Sequence, residues 1–150
     1  MRKLILLAED NQDDIILTQR AFNKSNILNE LIVVHDGEEA LDFLFGKGKY
    51  ENRDIKKMPE LVLLDLKMPK IDGLEVLKRM REHPLTKHIP VVILTTSQEE
   101  SDMIKSYCYG ANSYIIKPVD FNQFVNAVKQ LGLYWLVLNK RPKIESCVED

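Results

Sequence analysis

The chain has 150 residues, with 21 Lys and Arg against 23 Asp and Glu, so it fits one domain and its net charge of -2 excludes a general attraction to nucleic acid or anionic membrane. Its two cysteines, Cys108 and Cys147, supply neither a disulfide framework nor a zinc ligand set and read as free thiols of a reducing cytoplasm. The apolar run Leu4 to Ala8 is too short for a secretory core, and no stretch approaches the roughly 20 apolar residues of a membrane span, so a soluble cytoplasmic protein is expected, without nucleic acid or membrane as partner.

Along the chain, short apolar runs bounded by turn residues alternate with longer stretches of helical period, the pattern of a parallel sheet covered by helices. Strand one is expected over Lys3 to Ala8, and helix one from about Gln12, with Leu17, Ala21 and Phe22 inward. Strand two is expected over Leu31 to His35, and helix two follows Asp36-Gly37, buries Ala40, Leu41 and Leu44, and stops near Gly46. Strand three is expected over Leu61 to Asp65, and helix three from about Gly73 to His83, with Leu74, Leu77 and Met80 on one face and Pro84 as its stop. Strand four is expected over Val91 to Thr95. Helix four then runs from about Gln98 to Tyr109, with Ser97 as N-cap and Gly110 just past its end. Strand five is expected over Ser113 to Ile116, and helix five from Asp120 to about Asn139.

Strands two to four are near-continuous apolar runs, as in strands buried on both faces, so the fold class is α/β, a doubly wound five-stranded parallel sheet with helices on both faces. One domain over residues 1–139 and a polar tail over 140–150 are expected. The connection from Gly46 to Glu60 far exceeds the usual two to about six residues. Its Lys47, Lys49, Arg53, Lys56 and Lys57 alternate with Glu51 and Asp54, which reads as a solvated loop or a docking site for a kinase.

In a doubly wound sheet, ligands gather outside the carboxyl ends of the strands. Here strand one ends in Glu9-Asp10, strand three in Asp65, strand four in Thr95-Thr96 and strand five in Lys117-Pro118. Each could be ordinary when taken alone, Glu9-Asp10 as a helix cap and Lys117 as a surface lysine. Together they bring three carboxylates, a hydroxyl and an ammonium to one edge. Crowded carboxylates need a compensating cation, and an oxygen-only set with room for water suits Mg²⁺. With that ion in place the Asp65 carboxylate could attack a phosphoryl group whose oxygens Thr95 and Lys117 stabilise. His35, His83 and His88 are scattered and read as non-functional.

The pieces LLAEDN at 6–11, LVLLDLKMPKIDGLEVL at 61–77, IPVVILTTS at 89–97 and GANSYIIKPVD at 110–120 resemble the receiver domain of two-component response regulators, over about residues 3–139. The resemblance implies a flavodoxin-like strand order 2-1-3-4-5, Asp65 as phosphoacceptor, and Glu9, Asp10, Asp65 and the Lys67 carbonyl around Mg²⁺. It implies that Thr95 and Lys117 hold the phosphoryl group, that Tyr114 is the switch aromatic coupled to Thr95, and that a sensor histidine kinase is the donor. Asp10 would be the direct ligand and Glu9 the water-mediated one, since Glu-Asp stands where many members have Asp-Asp. Thr96 replaces the usual alanine, and Lys67 and Ser97 occupy positions that tune phosphoryl lifetime in the family.

The long basic loop, LTTSQEE, KPVDFNQF and the pair Tyr134-Trp135 resemble the small phytochrome-associated response regulators in particular. Only Lys140 to Asp150 would follow helix five, so signalling by the domain's own surface is expected, not catalytic turnover of a substrate. The apolar run LYWLVL at 133–138 predicts a homodimer centred on Tyr134 and Trp135. Two other classes compete. A haloacid-dehalogenase-type phosphatase expects a second Asp two residues after the nucleophile, where Lys67 stands. A flavodoxin-like FMN carrier needs a Ser/Thr/Gly loop after strand one, where EDNQDD stands.

Overall fold

The structure is a computed structural model that describes residues 3–25, 29–117 and 120–131. Five strands, β1 (Lys3–Ala8), β2 (Asn29–Val34), β3 (Leu61–Leu64), β4 (Val91–Thr95) and β5 (Ser113–Ile116), form one sheet in the order β2-β1-β3-β4-β5. Every pairing is parallel. The helices between them are α1 (Gln12–Lys24), α2 (Gly37–Phe45), α3 (Gly73–Glu82), α4 (Glu100–Cys108) and α5 (Phe121–Leu131).

Alternation along each strand divides the core in two. Leu6 and Ala8, Val62 and Leu64, and Val91 and Ile93 point to the face covered by α2 and α3, where Ala40, Leu44, Val76, Leu77 and Met80 are buried. Ile5 and Leu7, Leu61 and Leu63, and Val92 and Leu94 point the other way, toward Ile15, Ala21 and Phe22 of α1 and Phe124, Val125 and Val128 of α5. Apolar residues at both alternating positions are what hold the three inner strands between two helical layers.

The helix starts follow from local chemistry. Asn11, Asp36 and Asp72 each accept the backbone N–H three residues on with a side-chain oxygen, capping α1, α2 and α3. Gly46 ends α2 in the left-handed region at φ 67°.

Five elements end or begin away from the expected residues, β3 among them, which stops at Leu64, one residue before Asp65. β2 begins at Asn29 and ends at Val34, because an edge strand that pairs only with β1 needs no apolar residue on its outer side. His35 leaves the sheet as its N–H donates to Glu39 Oε1 at 2.9 Å. α3 ends at Glu82, one residue before His83. α4 starts at Glu100 and ends at Cys108, with Glu99 at the cap position; Ser97 stands two residues earlier, accepting the Glu99 N–H at 3.4 Å and donating to Asp102 Oδ2 at 2.6 Å. α5 starts at Phe121, with Asp120 Oδ2 accepting the Gln123 N–H. The expected continuation of α5 to Asn139, the 140–150 tail and the Tyr134–Trp135 dimer contact lie outside the described residues.

The 46–60 connection is folded back onto α2. The Arg53 guanidinium lies 4.1 Å above the Phe43 ring and donates to the carbonyls of Phe43 at 2.6 Å and Leu44 at 3.2 Å, filling acceptors that a helix C-terminus leaves open. Its Nη1 also donates to the Lys57 carbonyl at 2.8 Å. Lys49 pairs with Glu39 at 2.9 Å, and the Tyr50 hydroxyl donates to the same carboxylate at 2.7 Å. The five basic residues therefore do not form one free patch.

Burial alone would raise the Glu39 carboxyl, but hydrogen bonds from Lys49, Tyr50 and the His35 N–H outweigh it and hold the group down at about 2. A depressed folded value contributes stability that is fully present above the unfolded value of 4.5 and lost as pH falls toward 2. Glu39→Gln is expected to cost about 1 kcal/mol at neutral pH, the ion pair with exposed Lys49 adding little. Urea denaturation at pH 7 and pH 3 should show that gap shrinking in acid; a gap independent of pH would contradict it.

Among the described residues, no helix is long and apolar enough to cross a membrane.

Candidate functional site

The parallel sheet delivers the expected side chains to one edge. β1 and β3 are neighbours, with Ala8 opposite Leu64, so Glu9-Asp10 and Asp65 leave the sheet side by side. Carboxylate oxygens of Glu9, Asp10 and Asp65 all lie within 4.8 Å of one another. β5 brings Lys117 to the same place from across β4, its backbone N–H bonded to the Thr95 carbonyl at 2.7 Å.

The Lys117 ammonium is 7% exposed and touches Asp14 Oδ2 at 2.7 Å, Glu9 Oε1 at 2.8 Å and Asp65 Oδ2 at 3.3 Å. Burial works against its charge, but the bonds to Asp14 and Glu9 and the charge of Asp65 outweigh that and raise its pKa. Glu9 is driven the other way for a carboxylate: burial, reinforced by the charge of Asp65, pushes it well above its ordinary range despite Lys117. Its second oxygen accepts the Asn11 N–H at 3.1 Å. Asp10 is exposed, and no hydrogen bond or ion pair engages its side chain among the described residues. The remaining Asp65 oxygen, Oδ1, accepts the Lys67 N–H at 3.2 Å.

Three carboxylates thus touch one ammonium and a fourth, Asp10, lies beside two of them, an excess of acidic groups that a divalent cation would balance. The donor set fits a hard ion such as Mg²⁺: it is all oxygen, it is open to water at Asp10, and that carboxylate has no protein partner among the described residues.

Thr95 is fully buried at the end of β4, but its hydroxyl accepts the Ser97 N–H at 3.3 Å, and among the described residues no hydrogen bond joins it to Asp65. Tyr114 is half-buried against the core, its hydroxyl donating to the Ser97 carbonyl at 3.0 Å. The Lys67 side chain turns out of the site to Asp102 Oδ2 at 3.3 Å, which also takes the Ser97 hydroxyl. Asp102 is held below its ordinary range by the Ser97 hydroxyl first and Lys67 next, against burial. Lys67, Asp102, Ser97 and Tyr114 therefore form one polar chain from the residue two past Asp65 to α4 and β5.

Two of these residues were not anticipated from the sequence. Asp14 reads as a first-turn helix acid in EDNQDD, and Asp102 as a solvated helix residue; the signal for Asp14 is its place one turn after Glu9-Asp10.

A parallel sheet in this order, with an acidic, lysine-bridged cluster at the carboxyl ends of β1, β3 and β5, defines the class of α/β proteins that carry their chemistry at strand tips. Residues 5–129 match the response regulator receiver domain family, and the chain belongs to it. It is 42% identical over 134 residues to response regulator Rcp1 of Synechocystis sp., covering 89% of each chain. The crystal structure of the phosphorylated cyanobacterial phytochrome response regulator RcpA superposes with a TM-score of 0.83 at 41% identity, over 95% of this chain and 99% of that one. The Mn²⁺-bound form of Rcp1 gives 0.81 at 41% identity, over 93% and 99%.

Proposed function

We propose that the chain is a two-component signalling switch that accepts a phosphoryl group from a histidine kinase onto Asp65 in a Mg²⁺-dependent reaction. The observation that carries this reading is the position of the Asp65 carboxylate, shared between the Glu9–Asp10 acidic pair and the Lys117 ammonium. Asp10, Asp65 and the Lys67 carbonyl would hold the ion directly, and Glu9, both of whose oxygens already have protein donors, through water. The ion, when bound, would neutralise the charge that builds on the phosphoryl oxygens.

The protein's own groups do the rest. An Asp65 oxygen forms the new O–P bond as the P–N bond of a phosphohistidine breaks and the imidazole departs. Lys117 meets one phosphoryl oxygen, and Thr95, by giving up its bond to the Ser97 N–H and turning its hydroxyl, meets another. That turn alters the loop on which Tyr114 rests, and so the face built by α4, β5 and α5. The domain acts as a switch read by a protein partner, catalysing only its own phosphorylation and dephosphorylation. The phosphorylated state of RcpA and the bound Mn²⁺ of Rcp1 support the reading by similarity.

Incubation with acetyl phosphate and Mg²⁺ should add one phosphoryl group per chain by intact mass, and excess EDTA should abolish the addition. Labelling that is indifferent to the chelator, or absent with every divalent ion tried, would remove this proposal.

A further inference from the structure

The Lys117 ammonium has three hydrogens, and three carboxylates surround it. The contacts are unequal: Asp14 at 2.7 Å and Glu9 at 2.8 Å are within the range of strong charge-assisted bonds, whereas Asp65 at 3.3 Å is outside it. The lysine therefore leans away from the residue it must serve. Asp14 comes from the first turn of α1, and nothing in the receiver site as described above assigns it a role.

Its geometry is fixed independently of Lys117. The Asp14 N–H donates to the Asn11 cap at 3.0 Å, and its carbonyl accepts the Thr18 hydroxyl at 2.8 Å. The N-terminal turn of a helix also favours a negative charge there. The Asp14 backbone is therefore held in place by bonds that do not involve Lys117. The Asp14 side chain is 27% exposed, against 1% for Glu9, so on losing the lysine it can be taken up by water. Glu9 cannot, and Asp14 is consequently the contact that yields when the ammonium moves.

We propose that Asp14 is a positioning residue that holds the Lys117 ammonium back from Asp65 and competes with an incoming phosphoryl group for it. The proposal rests on the phosphoacceptor reading of Asp65. Asp14 then sets how readily the phosphorylated state forms, since each gain of a Lys117–phosphoryl bond is offset by the loss of the Asp14 bond. It also adds a negative charge beside the place where an anionic group must arrive, which acts in the same direction.

The test is calorimetric titration of beryllofluoride, a phosphoryl mimic, into the full chain at saturating Mg²⁺. Asp14→Asn keeps the size, the helix position and a neutral acceptor while removing the charge, and is expected to bind the mimic about three- to tenfold tighter than wild type. Asp14→Glu, which restores the charge, should return to wild-type affinity, and a cooperative melt of Asp14→Asn would show that the variant is folded where binding is measured. A merely structural role would weaken binding in both variants. If wild type binds and Asp14→Asn binds equally or more weakly, the proposal is overturned while the phosphoacceptor reading stands. If wild type fails to bind beryllofluoride with Mg²⁺ at all, that reading falls and this one with it.

Discussion

Asp65→Asn is expected to abolish phosphoryl incorporation from acetyl phosphate, lowering it on the order of 100-fold or more, because the amide oxygen that replaces the carboxylate is no longer an effective nucleophile. The fold should survive. Asn is nearly isosteric, and its oxygen can still accept the Lys67 N–H that Asp65 Oδ1 takes at 3.2 Å. The substitution also removes one of the charges that push Glu9 upward, so the variant should be at least as stable as wild type at neutral pH. Loss of labelling without loss of stability separates a missing nucleophile from a damaged fold. The wild-type label should be lost in acid and to hydroxylamine, as an acyl phosphate is. An Asp65→Asn protein labelled to the wild-type level, with an acid-stable bond, would refute the assignment.

The geometry also weighs against the two competing classes. A dehalogenase-type phosphatase needs an acid and base two residues past the nucleophile, but the Lys67 side chain there is drawn out of the site by Asp102. An FMN carrier needs donors for a phosphate after β1. That loop and the first turn of α1 instead contribute Glu9, Asp10 and Asp14 to an acidic cluster, with Lys117 already engaged by two of them.

The sheet was legible because each inner strand carries an apolar run, and Glu9, Asp10, Asp65 and Lys117, which the sheet brings together, stood out because each lies at the tip of a strand. Strand order needed the family resemblance, since apolar runs do not say which neighbour each will take. What could not be read were contacts made across the chain by residues that look ordinary locally. Asp14 and Lys117 are 103 positions apart and meet only because α1 starts beside the end of β5. Arg53 looks like one more charge in a basic loop, yet its guanidinium is spent on the carbonyls of α2. Ser97 has the residue type of a helix cap, but its hydroxyl donates to Asp102 and accepts the Glu99 N–H, a turn that leads into α4 at Glu100 rather than capping it.

Gly73→Ala is expected to destabilise the protein by about 3 kcal/mol or more and to impair Asp65 at the same time. Helix propensity argues the opposite sign, since alanine in place of glycine within a helix favours folding by up to about 1 kcal/mol. Sterics decide the outcome. A Cβ at Gly73 would lie 2.2 Å from the Asp65 carbonyl oxygen and 2.8 Å from the Leu66 Cα, and both are backbone atoms that no rotamer change can move. The Gly73 N–H donates to the Leu66 carbonyl at 2.9 Å, which draws the first turn of α3 onto the loop leaving β3. Asp65 is followed at once by that loop, so the backbone shift that makes room for a methyl group must pass through the residue proposed to carry the phosphoryl group. Urea denaturation should show the lowered stability, and acetyl phosphate labelling under conditions where the variant is still folded should run about tenfold slower than wild type, a 1 Å misplacement of a reacting group being enough for such a loss. Wild-type stability in Gly73→Ala would mean that α3 can move off the β3 loop freely, and the close approach of its glycine would then not be what fixes the position of Asp65.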